Sequence, residues 1–182
     1  MKPILFILFL GIQFSLSAQW GQLGSDIDGE AADDASGASV GLSGDGSRVV
    51  IGAIQNDGNG SNSGHTRVYE WDGTDWNQIG ADIDGEASGD NSGGSVAITN
   101  DGLRVAVGAH NNDGNGTTSG HVRIFEWDGT NWIQMGPDLD GEAMSDEFGT
   151  SVFFSGDGDR LAIGGTANDG SFTNAGHARV YE

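Results

Sequence analysis

Four acidic residues lie within nine positions of one another, and the same set recurs three times, 56 residues apart. In each copy, acids at positions i, i+2 and i+4 are followed by a fourth acid. Closely spaced carboxylates repel one another, and they are the oxygen ligands that Ca²⁺ prefers. We therefore predict a calcium site in each copy. The predicted ligands are Asp26, Asp28, Glu30 and Asp34, then Asp82, Asp84, Glu86 and Asp90, then Asp138, Asp140, Glu142 and Asp146.

A second interpretation of these acids involves no metal. Asp side chains accept hydrogen bonds from nearby loop amides, and the remaining acids would simply be solvated. An Asn- and Gly-rich segment, 56–60, recurs at 112–116 and in part at 168–170. We interpret it as a turn held by side-chain hydrogen bonds, with a secondary role as a source of further ligands.

The other repeated polar and aromatic residues are assigned structural roles. His65, His121 and His177 begin equivalent segments of different repeats, too far apart to share one ion. The repeated Arg residues are expected to pair with acids such as Glu70 or Asp45. The Trp residues, evenly placed beside the predicted strands, are expected to pack between them.

The charge and the N-terminus limit the possible partners and locations. The net charge of −20 disfavours binding to nucleic acid or to anionic lipid. Residues 1–18 read as a signal peptide, with Lys2, an apolar run from Ile4 to Ile12 and a small-residue cleavage site ending at Ala18. We predict a secreted chain that begins at Gln19, without membrane insertion of the mature part.

The repeat predicts the fold class. The copies are 20–75, 76–131 and an incomplete 132–182, and the first two agree at 34 of 56 positions. Alternating and continuous apolar runs separated by Gly-rich turns predict four strands per copy: A from Gly37, B from Arg48, C from His65 and D from Trp76, with an earlier D strand at Trp20. We predict an all-β fold of β-propeller-type blades, each of four antiparallel strands, forming a fragment of a larger propeller.

The motifs resemble the FG-GAP repeat of integrin-alpha-like propellers. The resemblance rests on Phe148-Gly149-Thr-Ser-Val followed by Leu161-Ala-Ile-Gly-Gly165, and on equivalent segments from Ser36 and Ser92. It implies a propeller exposed outside the cell. The calcium loop that such repeats often carry between the two motifs is replaced here by short Asp-Gly turns such as Gly44-Asp45-Gly46.

The function expected is that of a secreted or cell-surface binding or scaffolding module, stabilised by calcium, whose partner is an extracellular protein or a glycan. We expect no enzyme activity, because the chain has no Cys, its one Lys lies in the signal segment, and no nucleophile motif is present. The alternative is part of a propeller-based glycan-acting enzyme whose catalytic residues lie outside this chain.

Overall fold

The computed structural model describes residues 20–182, so the predicted signal segment 1–18 lies outside the described residues. Within 20–182 the regular structure is entirely β, and no helix there is long and apolar enough to cross a membrane. The strands are β1 (Ser36–Leu42), β2 (Arg48–Ala53), β3 (His65–Trp71), β4 (Trp76–Gln78), β5 (Ile83–Asp84), β6 (Ser95–Ile98), β7 (Arg104–Ala109), β8 (His121–Trp127), β9 (Trp132–Gln134), β10 (Leu139–Asp140), β11 (Phe148–Phe154), β12 (Leu161–Gly165) and β13 (His177–Tyr181).

These strands form three antiparallel sheets that follow the sequence repeat. The first has the order β1-β2-β3-β4, and β5 lies on the same edge as β4. β4 pairs with the end of β3 at Tyr69–Trp71, whereas β5 pairs with its start at His65 and Thr66. The predicted fourth strand is thus one interrupted strand made of two pieces. The second sheet, β6 to β10, repeats this plan, and β11-β12-β13 form the third.

The strand register places the two long loops of each repeat at the same end of the sheet. Ser36 at the start of β1 pairs with Ala53 at the end of β2, which pairs with His65 at the start of β3. We call the end that carries these loops the loop face. It holds the acidic loops (25–35, 85–94 and 141–147) and the Asn loops (54–64, 110–120 and 166–176). The opposite end, the turn face, holds the short turns 43–47 and 72–75 and their equivalents.

The sheets pack face to face through two apolar cores. One core lies between the first and second sheets and includes Val50, Val68, Val105 and Val107. The other lies between the second and third sheets, and Phe148 is fully buried within it. Burying these side chains supplies the main favourable term for stacking the repeats.

Close approach of neighbouring sheets explains the Gly in the motif Ile-Gly-Ala and its equivalent. A Cβ atom on Gly52 would clash with the carbonyl oxygen of Gly93 in the next sheet. The same oxygen accepts a hydrogen bond from Ser39 Oγ at 2.7 Å. The Ser and Gly positions of one repeat therefore define how closely the following repeat packs.

Two local predictions differ from the structure. Residues 20–24 form no strand, although their equivalents β4 and β9 do. β4 and β9 each pair with the C strand that precedes them in the chain. The described residues, 20–182, include no C strand before Trp20 with which residues 20–24 could pair. In addition, Ile83–Asp84, for which no separate strand was predicted, forms β5, so Asp82 and Asp84 lie at the sheet edge.

Candidate functional site: the acidic loop face

The last acid of each predicted calcium set is buried and serves as a hydrogen-bond acceptor. Asp34, Asp90 and Asp146 are 5%, 4% and 2% exposed, respectively. Asp90 Oδ2 accepts the backbone N–H of Ala87 and the side-chain amide of Asn112, both at 3.0 Å. The equivalent amide bonds come from Asn56 and Asn168. Each buried carboxylate thus joins the acidic loop of a sheet to the Asn loop of the same sheet.

The Asn loops also join successive sheets. Asn59 Nδ2 donates to the carbonyl oxygen of Gly85, in the next acidic loop, at 2.8 Å. Asn115 makes the equivalent bond to Gly141 at 2.8 Å. The backbone N–H of Ser92 adds a bond to the carbonyl oxygen of Ser63 at 2.9 Å. The loop face is therefore one hydrogen-bonded surface that runs across all three repeats.

The first two acids of each set do not join the buried one, although Glu142 of the third copy shares the amide of Asn168 with Asp146. Asp28, Asp84 and Asp140 are exposed. Only two groups of three potential ligand atoms in residues 20–182 lie within 4.8 Å of one another, and neither holds two acids of the same copy. The structure therefore differs from the expected arrangement of one ligand set per copy. Calcium binding by these acids stays a prediction.

The two groups combine a histidine with acids of two consecutive copies. We call them the His–carboxylate clusters. In the first, His65 Nδ1 lies 3.8 Å from Glu30 Oε2 and 3.6 Å from Asp82 Oδ2. In the second, His121 Nδ1 lies 3.8 Å from Glu86 Oε2 and 3.7 Å from Asp138 Oδ2. These separations are too long for hydrogen bonds.

Strand pairing positions each cluster. His65 begins β3, and Asp82 directly precedes β5, whose Ile83–Asp84 pairs with the first two residues of β3. Glu30 reaches the same point from the acidic loop that leads into β1. The two carboxylates therefore both approach Nδ1 of a histidine whose side chain is 2% exposed.

The second oxygen of each carboxylate is held by a neighbouring side chain. Gln78 Nε2 donates to Asp82 Oδ1 at 2.6 Å, and Arg67 Nη1 lies 3.4 Å from Glu30 Oε1. Gln134 holds Asp138 in the same way at 2.7 Å. These contacts to the far oxygens fix the orientation of each carboxylate, and with it the position of the oxygen that faces the histidine.

Burial lowers the pKa of His121, and the nearby charge of Arg123 lowers it further, while Asp138 and Glu86 act in the opposite direction. The neutral imidazole is therefore favoured. Its Nε2 is enclosed and has no hydrogen-bond partner in the described part of the chain.

The third sheet contains only a pair. His177 Nδ1 lies 3.9 Å from Glu142 Oε2, and its side chain is 20% exposed. The residue equivalent to Asp138 would follow Glu182. The sequence interpretation excluded one ion shared among the three histidines, but it did not predict that His65 and His121 each meet carboxylates of two consecutive copies. The signal in the sequence was the regular spacing of Glu30, His65 and Asp82, repeated at Glu86, His121 and Asp138.

The turn face consists of capped hairpins. The backbone N–H of Ser47 and the hydroxyl of Ser43 hold the pKa of Asp45 at about 2, below its ordinary 3.8. The hydroxyl of Thr74 and then the backbone N–H of Asp75 lower the pKa of Asp72 to about 2. These acids accept bonds within their own turns.

The arginine and tryptophan predictions are confirmed in part, since Trp20 is 99% exposed and Arg179 forms no ion pair within residues 20–182. Arg48 donates to Glu70 at 2.8 Å, as one of the two expected acids, and not to Asp45. Trp132 packs against the core between the first two sheets, and its Nε1 donates to the carbonyl oxygen of Ile79 at 3.1 Å.

The comparisons with known proteins support the repeat assignment. The FG-GAP repeat family matches residues 26–69 and 81–125. No curated protein matches the chain. Among solved structures, the chain is similar to hydrazine synthase of Kuenenia stuttgartiensis, with 13% sequence identity and a TM-score of 0.45 over 81% of this chain. It spans 34% of the length of that protein. The sequence motifs and the two matched segments show that this chain carries repeats of the FG-GAP family.

Proposed function

We propose that this chain is a binding or scaffolding module of the β-propeller type, secreted or held at the cell surface, that engages an extracellular protein or glycan through its loop face. FG-GAP repeats are typical of extracellular or surface proteins. The proposal includes no catalytic role, no nucleic-acid partner and no membrane insertion of the mature chain.

One observation carries this proposal: the hydrogen bonds that join the loops within and between repeats. A bond from Asn59 to Gly85, repeated from Asn115 to Gly141, links consecutive sheets at this end. Binding to a preorganised surface avoids the entropy cost of ordering loops on association. The turn face is also linked between repeats, for example by the bond from Gly44 N–H to the carbonyl oxygen of Asn100, but it presents only short hairpins, whereas the loop face combines such links with long loops.

The exposed charge of the loop face indicates the chemistry of the partner. Exposed acids recur there in every repeat, among them Asp57, Asp113 and Asp169 in the Asn loops. Such a surface attracts cationic groups and increases their rate of encounter. A protein with a basic surface is the partner that this charge favours most, and a neutral glycan is the second class to examine.

The test compares two doubly substituted variants that remove the same charge from opposite ends. Asp57→Asn with Asp113→Asn changes the loop face, and Asp72→Asn with Asp128→Asn changes the turn face. Each of the four carboxylates accepts a backbone N–H within its own loop or turn, and the oxygen of Asn can accept that bond. Asp72 also accepts a bond from Asn77 Nδ2, so circular dichroism of both variants must show an unchanged fold. Surface plasmon resonance would measure binding of the full chain to immobilised basic extracellular proteins and neutral glycans.

We expect the loop-face variant to lose affinity for a partner that the turn-face variant still binds. Equal losses in both variants would mean plain charge attraction without a dedicated face. Unchanged binding by the loop-face variant would place recognition elsewhere.

Calcium is part of this proposal as a stabiliser of the loop face. Its support is the repeated set of acids in a chain with 27 Asp and Glu residues and only 7 Lys and Arg. A cation that binds only the folded state would raise stability by mass action.

A further inference from the structure

We propose that each His–carboxylate cluster is a binding site for a borderline divalent transition-metal ion such as Zn²⁺. The first site consists of Glu30, His65 and Asp82. The second consists of Glu86, His121 and Asp138. Each site lies at the loop-face end of its own sheet, and its glutamate comes from an acidic loop of the surface proposed to engage the protein or glycan partner.

The observation that points to an ion is the geometry at Nδ1 of each histidine, which faces two carboxylate oxygens and makes no hydrogen bond within residues 20–182. The side chain of His121 is only 1% exposed, and its Nδ1 faces two carboxylate oxygens at 3.7 and 3.8 Å. A hydrogen bond would bring such atoms to about 3 Å. The gap is instead close to the distance between ligands around one metal. Ligands 2.1 Å from a tetrahedral ion lie about 3.4 Å from each other.

The ligand types select the class of ion. Imidazole nitrogen with carboxylate oxygen suits Zn²⁺ and related transition metals, whereas Ca²⁺ and Mg²⁺ prefer oxygen ligands alone. Three protein ligands leave a fourth tetrahedral position for water. Selectivity for Zn²⁺ over Ca²⁺ therefore distinguishes this proposal from calcium binding by the exposed acids.

The neighbours of the carboxylate ligands resemble the outer shell of a metal site. A glutamine holds the far oxygen of the aspartate in both clusters, Gln78 at 2.6 Å and Gln134 at 2.7 Å. Bonds of this kind fix the orientation of a ligand before the ion binds. An arginine near the far oxygen of Glu30 offsets part of its charge and leaves the facing oxygen free.

The third repeat provides an internal comparison. His177 faces Glu142 alone within the described residues, at 3.9 Å. A single histidine and one carboxylate lack the third ligand. We expect two bound ions in a chain with three histidines of this kind.

The test is isothermal titration of the full chain with ZnCl₂ after treatment with chelator, in the presence of excess CaCl₂. We expect two ions per chain. Asp138→Asn should leave one ion, and combining it with Asp82→Asn should leave none, because each change removes a charged ligand while keeping nearly the same shape. Asp140→Asn is the matched control: it removes the same charge two residues away and should leave two ions.

Two further measurements keep the result independent of folding defects. Circular dichroism should show the same β spectrum for every variant, and Glu86→Gln should also reduce the count to one. Titration with CoCl₂ should produce visible absorption bands of a four-coordinate ion that weaken by half in Asp138→Asn. No Zn²⁺ binding by the unmodified chain, an unchanged count in folded Asp138→Asn, or displacement of Zn²⁺ by calcium would overturn the proposal.

Discussion

The substitution Asp90→Ala tests whether the buried acid of the second repeat stabilises the fold more than the exposed acids do. Asp90 is 4% exposed, and its Oδ2 accepts two hydrogen bonds at 3.0 Å, from Ala87 N–H and Asn112 Nδ2. Removing the carboxylate leaves both donors without their acceptor in a water-poor site. Bonds to a charged acceptor contribute about 1.5–3 kcal/mol each. We therefore expect Asp90→Ala to lower the free energy of unfolding by about 3–5 kcal/mol.

Two companion variants make this prediction specific. Asp90→Asn keeps an oxygen that can accept both bonds and loses only the charge, so the expected loss is about half as large. Asp84→Ala removes the same charge from the same repeat. Asp84 is exposed, and no hydrogen bond to its side chain occurs within residues 20–182. Exposed substitutions of this kind change stability by about 0.5 kcal/mol or less.

The assay is urea unfolding of the full chain, followed by tryptophan fluorescence, in the presence of chelator. With a slope of about 2 kcal/mol per molar urea, a loss of 4 kcal/mol lowers the midpoint by about 2 M. If Asp90→Ala and Asp84→Ala move the midpoint by the same amount, the assignment of Asp90 as the acceptor joining the two loops is refuted.

Three further outcomes are expected. Gly108→Ala should lower the free energy of unfolding by about 1–3 kcal/mol, because the new Cβ atom meets backbone of the next sheet. In Gly164→Ala the new Cβ atom meets only a serine hydroxyl 2.5 Å away, so the loss of stability should be smaller. Thermal melts of both variants measure the difference. The pKa values of about 2 for Asp45 and Asp72 lie below the unfolded value of 3.8, so the stability that these acids contribute is fully present above about pH 4 and is lost as the pH falls towards 2. Changing both to Asn should flatten the dependence of the free energy of unfolding on pH between about pH 4 and 2. An unchanged slope in that window would contradict this prediction. Millimolar calcium should raise the melting temperature more than magnesium does, and equal curves would leave the exposed acids as solvated residues.

The positions of most strands followed from the sequence. β2 begins at Arg48 and β3 at His65, as predicted. Apolar alternation with Gly-rich turns is a local property, and the 56-residue repeat presents the same evidence again in each copy. The common end of the long loops also follows from the sequence. In an antiparallel sheet, successive connections alternate between the two ends, so when the A-to-B and C-to-D turns lie at one end, the B-to-C and D-to-A loops lie at the other.

Strand D was less predictable because a strand depends on its partner. Residues 20–24 carry the same pattern as β4 and yet remain outside any sheet, while Ile83–Asp84 gains strand structure by pairing with β3. A segment forms a strand only where a neighbouring strand can pair with its backbone N–H and C=O groups. The residue types of the segment alone therefore do not decide whether it becomes a strand.

The sequence by itself determined that acids and histidines recur in register, but only the tertiary structure decided which of them meet. Asp82 and Asp90 belong to one run of sequence, yet Asp82 lies beside His65 and Asp90 is buried against Asn112. The physical reason is that the pairing of β5 with β3 and the return of the Asn loop bring together residues distant in the chain. The spacing of acids along one loop carries no information about those contacts.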